Sequence, residues 1–160
     1  MVRLEPMSEE DFQKSLARDI PRYAEELVRR GLATEDHALE ASRTDFTQFL
    51  PNGRETPHHH LSNAVDDAVG ARVGEAWYTV QERGGKTQFW IDWVWIEPKH
   101  RRQGYATQTL RSLEEEARRA GADRTGLSVW TDNPGAMALY SKLGYTTVHM
   151  RMSKSLSPVP

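Results

Sequence analysis

Ile96-Glu97-Pro98-Lys99-His100-Arg101-Arg102-Gln103-Gly104-Tyr105-Ala106 decides how this chain is read. Upstream, residues 87–96 read as a strand, with Ile91, Trp93 and Trp95 pointing one way and Asp92, Val94 and Ile96 the other. Both faces are largely apolar, which predicts a central strand. Downstream, Ala106, Leu110, Leu113 and Ala117 recur at helical spacing and Gly121 ends the run, predicting a helix from about residue 104. The quoted stretch therefore carries a buried strand into a helix N-terminus. The first amides of a helix lack intrahelical partners and the dipole places partial positive charge there, worth about 0.3–1 kcal/mol per anionic contact near the surface. Gly104 and the small Ala106 let a phosphate approach the backbone, and Arg101 and Arg102 can add charge. A pyrophosphate fits this turn. There is no G-x-x-x-x-G-K-[ST] and no G-x-G-x-x-G opening a helix after the first strand, so nucleotide hydrolysis and hydride transfer lose support.

Working outward, Ser8 and Asp11 form a capping-box pattern, and Phe12 and Leu16 predict a helix near 8–19 that Pro21 interrupts. Tyr23, Leu27 and Val28 mark a second helical stretch ending at Gly31. Thr34 caps a third, with Leu39, Phe46 and Leu50, stopped by Pro51-Asn52-Gly53. A polar loop with His58, His59 and His60 follows. Residues 61–65 and 73–80 read as strands, and Gly84-Gly85 signals a hairpin into the strand over 87–96. Residues 124–130 read as a strand, Asn133-Pro134 starts a short helix that Gly144 ends, and residues 145–152 read as a last strand. The result is an α/β chain: a mixed sheet with helices on its faces, forming one domain over 1–153 with a helical part at 8–50, a sheet core at 61–152 and a flexible tail at 154–160.

The composition suits one soluble globular domain: 160 residues, 38% hydrophobic, 28% charged, with a formal net charge of −2. The absence of cysteine fits a reducing compartment such as the cytoplasm, and it removes thiol nucleophiles and thiolate metal ligands. No segment reads as a signal peptide or membrane span. The charge balance argues against bulk nucleic-acid binding, although Lys99, His100, Arg101 and Arg102 form one basic cluster suited to a single phosphorylated ligand.

The run R-x-x-G-x-A from Arg101 to Ala106, preceded by Val94, Ile96 and Pro98, resembles motif A of the GNAT acetyltransferase superfamily. Asn133-Pro134-Gly135-Ala136-Met137-Ala138-Leu139-Tyr140-Ser141-Lys142-Leu143-Gly144-Tyr145 resembles its motif B, with tyrosine in place of the final phenylalanine. The resemblance covers residues 61–152 firmly and the helical N-terminal part more loosely. It implies a GNAT fold: a mixed, mostly antiparallel sheet splayed between its fourth and fifth strands, with acetyl-CoA in the cleft. Matching positions imply that backbone groups of Val94, Trp95 and Ile96 bind the pantetheine arm. They also imply that Arg101, Arg102, Gln103, Gly104, Tyr105, Ala106 and Thr107 hold the pyrophosphate, with Asn133, Ala136 and Tyr140 completing the cofactor site.

Direct N-acylation needs a neutral amine, a polarised thioester carbonyl and a proton for the departing thiolate. Tyr140 is the candidate acid, against the alternative of a packed helix tyrosine. Asp92 is the candidate base, against the alternative of an aspartate satisfied by structural hydrogen bonds. A backbone N–H near Val94 or Trp95 in a distorted strand would suit the oxyanion. His58, His59, His60, Trp77 and Tyr78 are candidates for the acceptor pocket. No metal site is expected, because three consecutive histidines do not converge on one ion. The leading expectation is an acetyl-CoA-dependent N-acetyltransferase acting on a primary amine of a small molecule or peptide, as a monomer or homodimer. The alternatives are a non-catalytic acyl-CoA sensor and, more distantly, a nucleic-acid binder using residues 99–102.

Overall fold

The computed structural model describes residues 1–154 and 156 of the chain. The chain divides into two compact units, Met1–Ser128 and Val129–Pro160. The last residues of the predicted tail, 155 and 157–160, lie outside the described residues.

The first unit is built on a five-stranded open sheet: β1 (Val2–Pro6), β2 (His59–Asp66), β3 (Ala71–Arg83), β4 (Lys86–Ile96) and β5 (Thr125–Leu127), ordered β1-β2-β3-β4-β5. β1 to β4 form an antiparallel meander and β5 joins β4 in parallel, so the sheet is mixed. The β3–β4 hairpin closes at the predicted Gly84-Gly85, whose φ angles of 60° and 72° are those of a tight turn that follows the strand twist.

Helices cover both faces. α1 (Glu9–Arg29) and α2 (Glu35–Phe49) lie on the face that carries Glu75, Trp77, Trp93 and Trp95. α3 (Tyr105–Arg119) buries Thr109, Leu110, Leu113 and Ala117, and its Tyr105 packs on a core of Val2, Ala64 and Val73. This burial of an apolar stripe is the main stabilising term for the helix.

The structure departs from the expected elements at five places. β1 was not foreseen, although Val2 and Leu4 alternate with Arg3 and Glu5. Pro21 does not interrupt the first helix: α1 runs through it to Arg29. Pro21 and Ala17, whose carbonyl loses its helical donor, are both exposed, so water can satisfy the freed group. Only His58 stays in the loop, because His59 and His60 open β2 and pair with Thr79 and Tyr78. The strand expected over 124–130 shrinks to Thr125–Leu127. The strand expected over 145–152 is not formed. Val148, Met150 and Met152 are strongly exposed, and β-branched composition fixes no strand where nothing pairs with it.

The second unit contains α4 (Pro134–Lys142), entered as the sequence suggests. Asn133 Oδ1 accepts from the Ala136 amide at 3.1 Å, and Pro134 opens the helix.

Candidate functional site

Two features of the first unit form the candidate site: a parting between β4 and β5, and the turn into α3. The parallel ladder joins Phe89 to Thr125, Trp90 to Gly126 and Ile91 to Leu127. Among the described residues it goes no further, so the outer edge of β4 from residue 92 to 96 has no strand partner. On its inner edge the same segment stays paired, Val94 with Ala76, Trp95 with Glu75 and Ile96 with Gly74. The backbone groups on that outer edge are therefore not used in a strand ladder, and of them the Ile96 carbonyl accepts from Arg101 Nε at 2.9 Å.

The strand is distorted at Asp92 and not at Val94 or Trp95, which pair regularly with β3. Trp77 pairs with Trp93 and Tyr78 with Ile91, which leaves Asp92 as the extra residue of a β-bulge. A bulge reverses the alternation of faces. Asp92 consequently shares the α1 side with Trp93 and Trp95, and not the Val94 and Ile96 face that strict alternation predicted. Its carboxylate Oδ2 accepts from Thr79 Oγ1 at 2.6 Å. Water can reach Asp92, yet burial of the carboxyl pushes its pKa up from 3.8 to about 6, with the Thr79 hydrogen bond pulling the other way.

Behind Thr79 stand two more groups. Thr79 Oγ1 is 3.1 Å from His59 Nδ1, and Trp77 Nε1 donates to the same nitrogen at 2.9 Å. The indole N–H is a donor only, so Nδ1 presents its lone pair and the His59 proton sits on Nε2. Burial, with His58 and His60 beside it, holds the His59 pKa below its ordinary value and so favours this neutral form. His60 stacks on Tyr78 at 4.8 Å, and Tyr78 on Phe89 at 4.7 Å, on the other face. Of the five residues expected to line an acceptor pocket, the structure thus joins His59 and Trp77 to Asp92. It sends the His60 and Tyr78 side chains to the α3 side, where they line a cleft of about 290 Å³ with Glu116 and with part of His59, and leaves His58 exposed. His59 and His60 diverge because strand neighbours point to opposite faces.

In the turn, residues 98–100 form one 3-10 turn, Arg102 takes a left-handed φ of 61°, and Gly104 caps α3 with φ 85°. The Arg101 amide donates to the Pro98 carbonyl at 3.3 Å, so the run of available amides starts one residue later than expected. From 102 to 107 the amides meet no acceptor among the described residues. Six amides at the positive end of a 15-residue helix make a site for an anion. The side chains here have other tasks. Arg101 Nε donates to the Ile96 carbonyl at 2.9 Å, Gln103 Nε2 to the Lys99 carbonyl at 3.0 Å, and the Tyr105 hydroxyl to Asp66 at 2.6 Å. They brace the turn, which leaves its backbone amides as the free polar groups there.

Sequence reasoning missed the arginines of α1. The Arg18 guanidinium lies 3.7 Å over Trp95 and binds Asp19 and buried Glu75, and Arg22 lies 4.5 Å over Trp93. Their spacing of four on an amphipathic helix was the available signal. In the second unit, Tyr140 is half-buried, its hydroxyl pKa raised by desolvation, and its ring meets Tyr145 edge-on at 5.8 Å. The Asn133 side chain is committed to capping α4 beside Ala136.

Comparison with known proteins defines the class. The acetyltransferase (GNAT) family pattern matches residues 22–145, and the chain belongs to that family. It is 32% identical over 153 residues to the uncharacterized N-acetyltransferase YdgE of Bacillus subtilis, covering 96% of this chain and 97% of that protein. It is 35% identical over 156 residues to the uncharacterized N-acetyltransferase YycN of the same organism, covering 97% of this chain and 99% of YycN. The crystal structure of YycN superposes with a TM-score of 0.90 at 32% identity, covering 99% of this chain and 100% of that one. An acetyl transferase structure from Pyrococcus furiosus gives a TM-score of 0.71 at 20% identity, over 98% of this chain and 100% of that one, a likeness of fold alone. Among the described residues no helix is long and apolar enough to cross a membrane.

Proposed function

We propose that this chain transfers an acetyl group from acetyl-CoA to a primary amine of a small molecule or peptide, by direct attack and without an acyl-enzyme. The observation that carries this reading is the run of amides over 102–107, with no acceptor among the described residues, at the α3 N-terminus next to the segment where β4 loses its outer partner. These residues fit the donor: the amides and Thr107 would hold its diphosphate, and the β4 edge at Val94, Trp95 and Ile96 its pantetheine arm. Acetyl-CoA would supply the activated acetyl group.

The chain's own groups would manage the protons. Asp92, with a pKa of about 6, is ionised at neutral pH and would take the proton that the neutral amine nitrogen sheds as it bonds to the thioester carbon. Tyr140 would give one to the departing sulfur, for which a raised pKa keeps its hydroxyl protonated. Its part rests on the motif B match. Lining of the acceptor site falls to His59 and Trp77, with Arg22 over Trp93 close along β4.

The test is release of free CoA from acetyl-CoA across a panel of primary amines. Turnover is expected with at least one, falling about 10²–10⁴-fold in Asp92→Asn and in Tyr140→Phe, the usual worth of a general base or acid. Tight acetyl-CoA binding with no CoA release from any amine would favour a sensor, and turnover unaffected by both substitutions would remove the proposed roles.

A further inference from the structure

Asp92 does not act on its own in this structure, and the groups behind it have an order that elementary hydrogen-bond chemistry imposes. Trp77 Nε1 can only donate, and at 2.9 Å it takes the single in-plane lone pair of His59 Nδ1. Thr79 has one hydroxyl proton and two neighbours that could accept it, His59 Nδ1 at 3.1 Å and Asp92 Oδ2 at 2.6 Å. The first acceptor is already engaged. The second is shorter and charged, and charge-assisted bonds are the stronger kind. The register supports the arrangement, because His59 faces Thr79 across β2 and β3, while the bulge brings Asp92 to the same hydroxyl from β4.

We propose that Thr79 is a positioning residue for Asp92: with His59 and Trp77 closing off its other acceptor, its hydroxyl is committed to Oδ2 and leaves Oδ1 to face the acceptor amine. This rests on the reading of Asp92 as the base. The bond has a second effect. Burial alone drives Asp92 towards its neutral form, and the Thr79 hydrogen bond opposes it. Thr79 therefore sets how much of the base is ionised near neutral pH.

The other titratable and charged groups on elements packed around this part of β4 are His59 on β2, Arg72 and Glu75 on β3, which pair with each other, and Arg18, Asp19 and Arg22 on α1. Arg18, Asp19 and Glu75 are paired among themselves, and Arg22 binds Asp19 at 3.4 Å. Glu116 of α3 lies with Tyr78 on the opposite face. The displacement of Asp92 comes from burial and Thr79.

The test needs no acceptor and so does not depend on turnover. In ligand-free protein labelled with ¹³C at the aspartate carboxyls, the Asp92 resonance is assigned by its loss in Asp92→Asn and followed against pH. Thr79→Val removes the hydroxyl and keeps the shape. It is expected to move the Asp92 midpoint upward by about one to two pH units, the worth of one hydrogen bond to a charged group. Thr79→Ser should return it. Should the valine variant fail to fold, Thr79→Ala replaces it with the same expectation. The ¹⁵N shifts of the His59 ring should show Nδ1 bare and Nε2 protonated in the wild type. An unmoved midpoint in a folded Thr79 variant, or a proton on Nδ1, overturns the inference. Failure of Asp92→Asn to reduce turnover would instead remove the base assignment while leaving this hydrogen-bond chain standing.

Discussion

Replacing Gly104 with alanine probes the turn into α3 without altering its charges. Gly104 has φ 85°, and a Cβ built there meets only Gln108 Nε2, at 3.9 Å, which is ordinary contact. Space costs nothing, so the whole penalty is the left-handed backbone of an L residue, about 1–2 kcal/mol. For a domain of this size each kcal/mol is worth roughly 2–4 °C, so Tm should fall by about 2–8 °C, with a matching drop in urea midpoint. Gly135→Ala is the control: its Cβ would also meet nothing closer than 3.9 Å, and in the first turn of α4 it needs no left-handed backbone. That variant should be neutral or slightly stabilised. Acetyl-CoA affinity should fall in Gly104→Ala alone, because the strained residue tilts the amides that follow it. A Gly104→Ala protein as stable as the control, with undiminished affinity, would refute the reasoning about this turn.

Other expectations follow from the packing around β3, β4 and α1. In Gly74→Ala the new Cβ would collide with the Trp95 carbonyl oxygen and stand 2.9 Å from Ile96 Cδ1, so β3 and β4 must part. A loss of about 1–3 kcal/mol in urea unfolding is expected, and no loss would contradict the close approach of these strands. Arg18→Met leaves buried Glu75 and Asp19 with less compensation and should cost about 3 kcal/mol by the same assay, whereas an unchanged midpoint would mean the network carries no stability. Asp92 has a folded pKa of about 6 against an ordinary 3.8, so the folded state binds its proton more readily than the unfolded chain. Its contribution is most favourable at acid pH and is lost as pH rises through about 6. Asp92→Asn should therefore raise Tm relative to wild type more at pH 8 than at pH 4, and a difference independent of pH would count against the shift.

Much of this was legible in the sequence because it depends on local patterns. The apolar stripe of α3, the glycine at its start, the Gly84-Gly85 hairpin and the Asn133-Pro134 helix entry each follow from spacing and turn chemistry. What escaped depends on partners far along the chain. β1 is short and gains its place by pairing with β2. Pro21 is tolerated because of which side of α1 faces water. The bulge at Asp92 appears only when β3 and β4 are set in register, and with it went the correct face for Asp92 and the link to Thr79 and His59. Arg101 looked like a ligand for phosphate on charge alone, yet its Nε is turned back to the Ile96 carbonyl.

The most direct test of the central claim is calorimetric titration of the protein with acetyl-CoA and, separately, with S-acetyl-pantetheine, which shares the thioester arm but lacks the diphosphate. If the amides over 102–107 hold a diphosphate, acetyl-CoA should bind saturably at one site. The fragment should bind at least about tenfold more weakly, since hydrogen bonds to a charged group are worth about 1.5–3 kcal/mol each. Equal affinities for the two, or no heat with acetyl-CoA at all, would contradict the account.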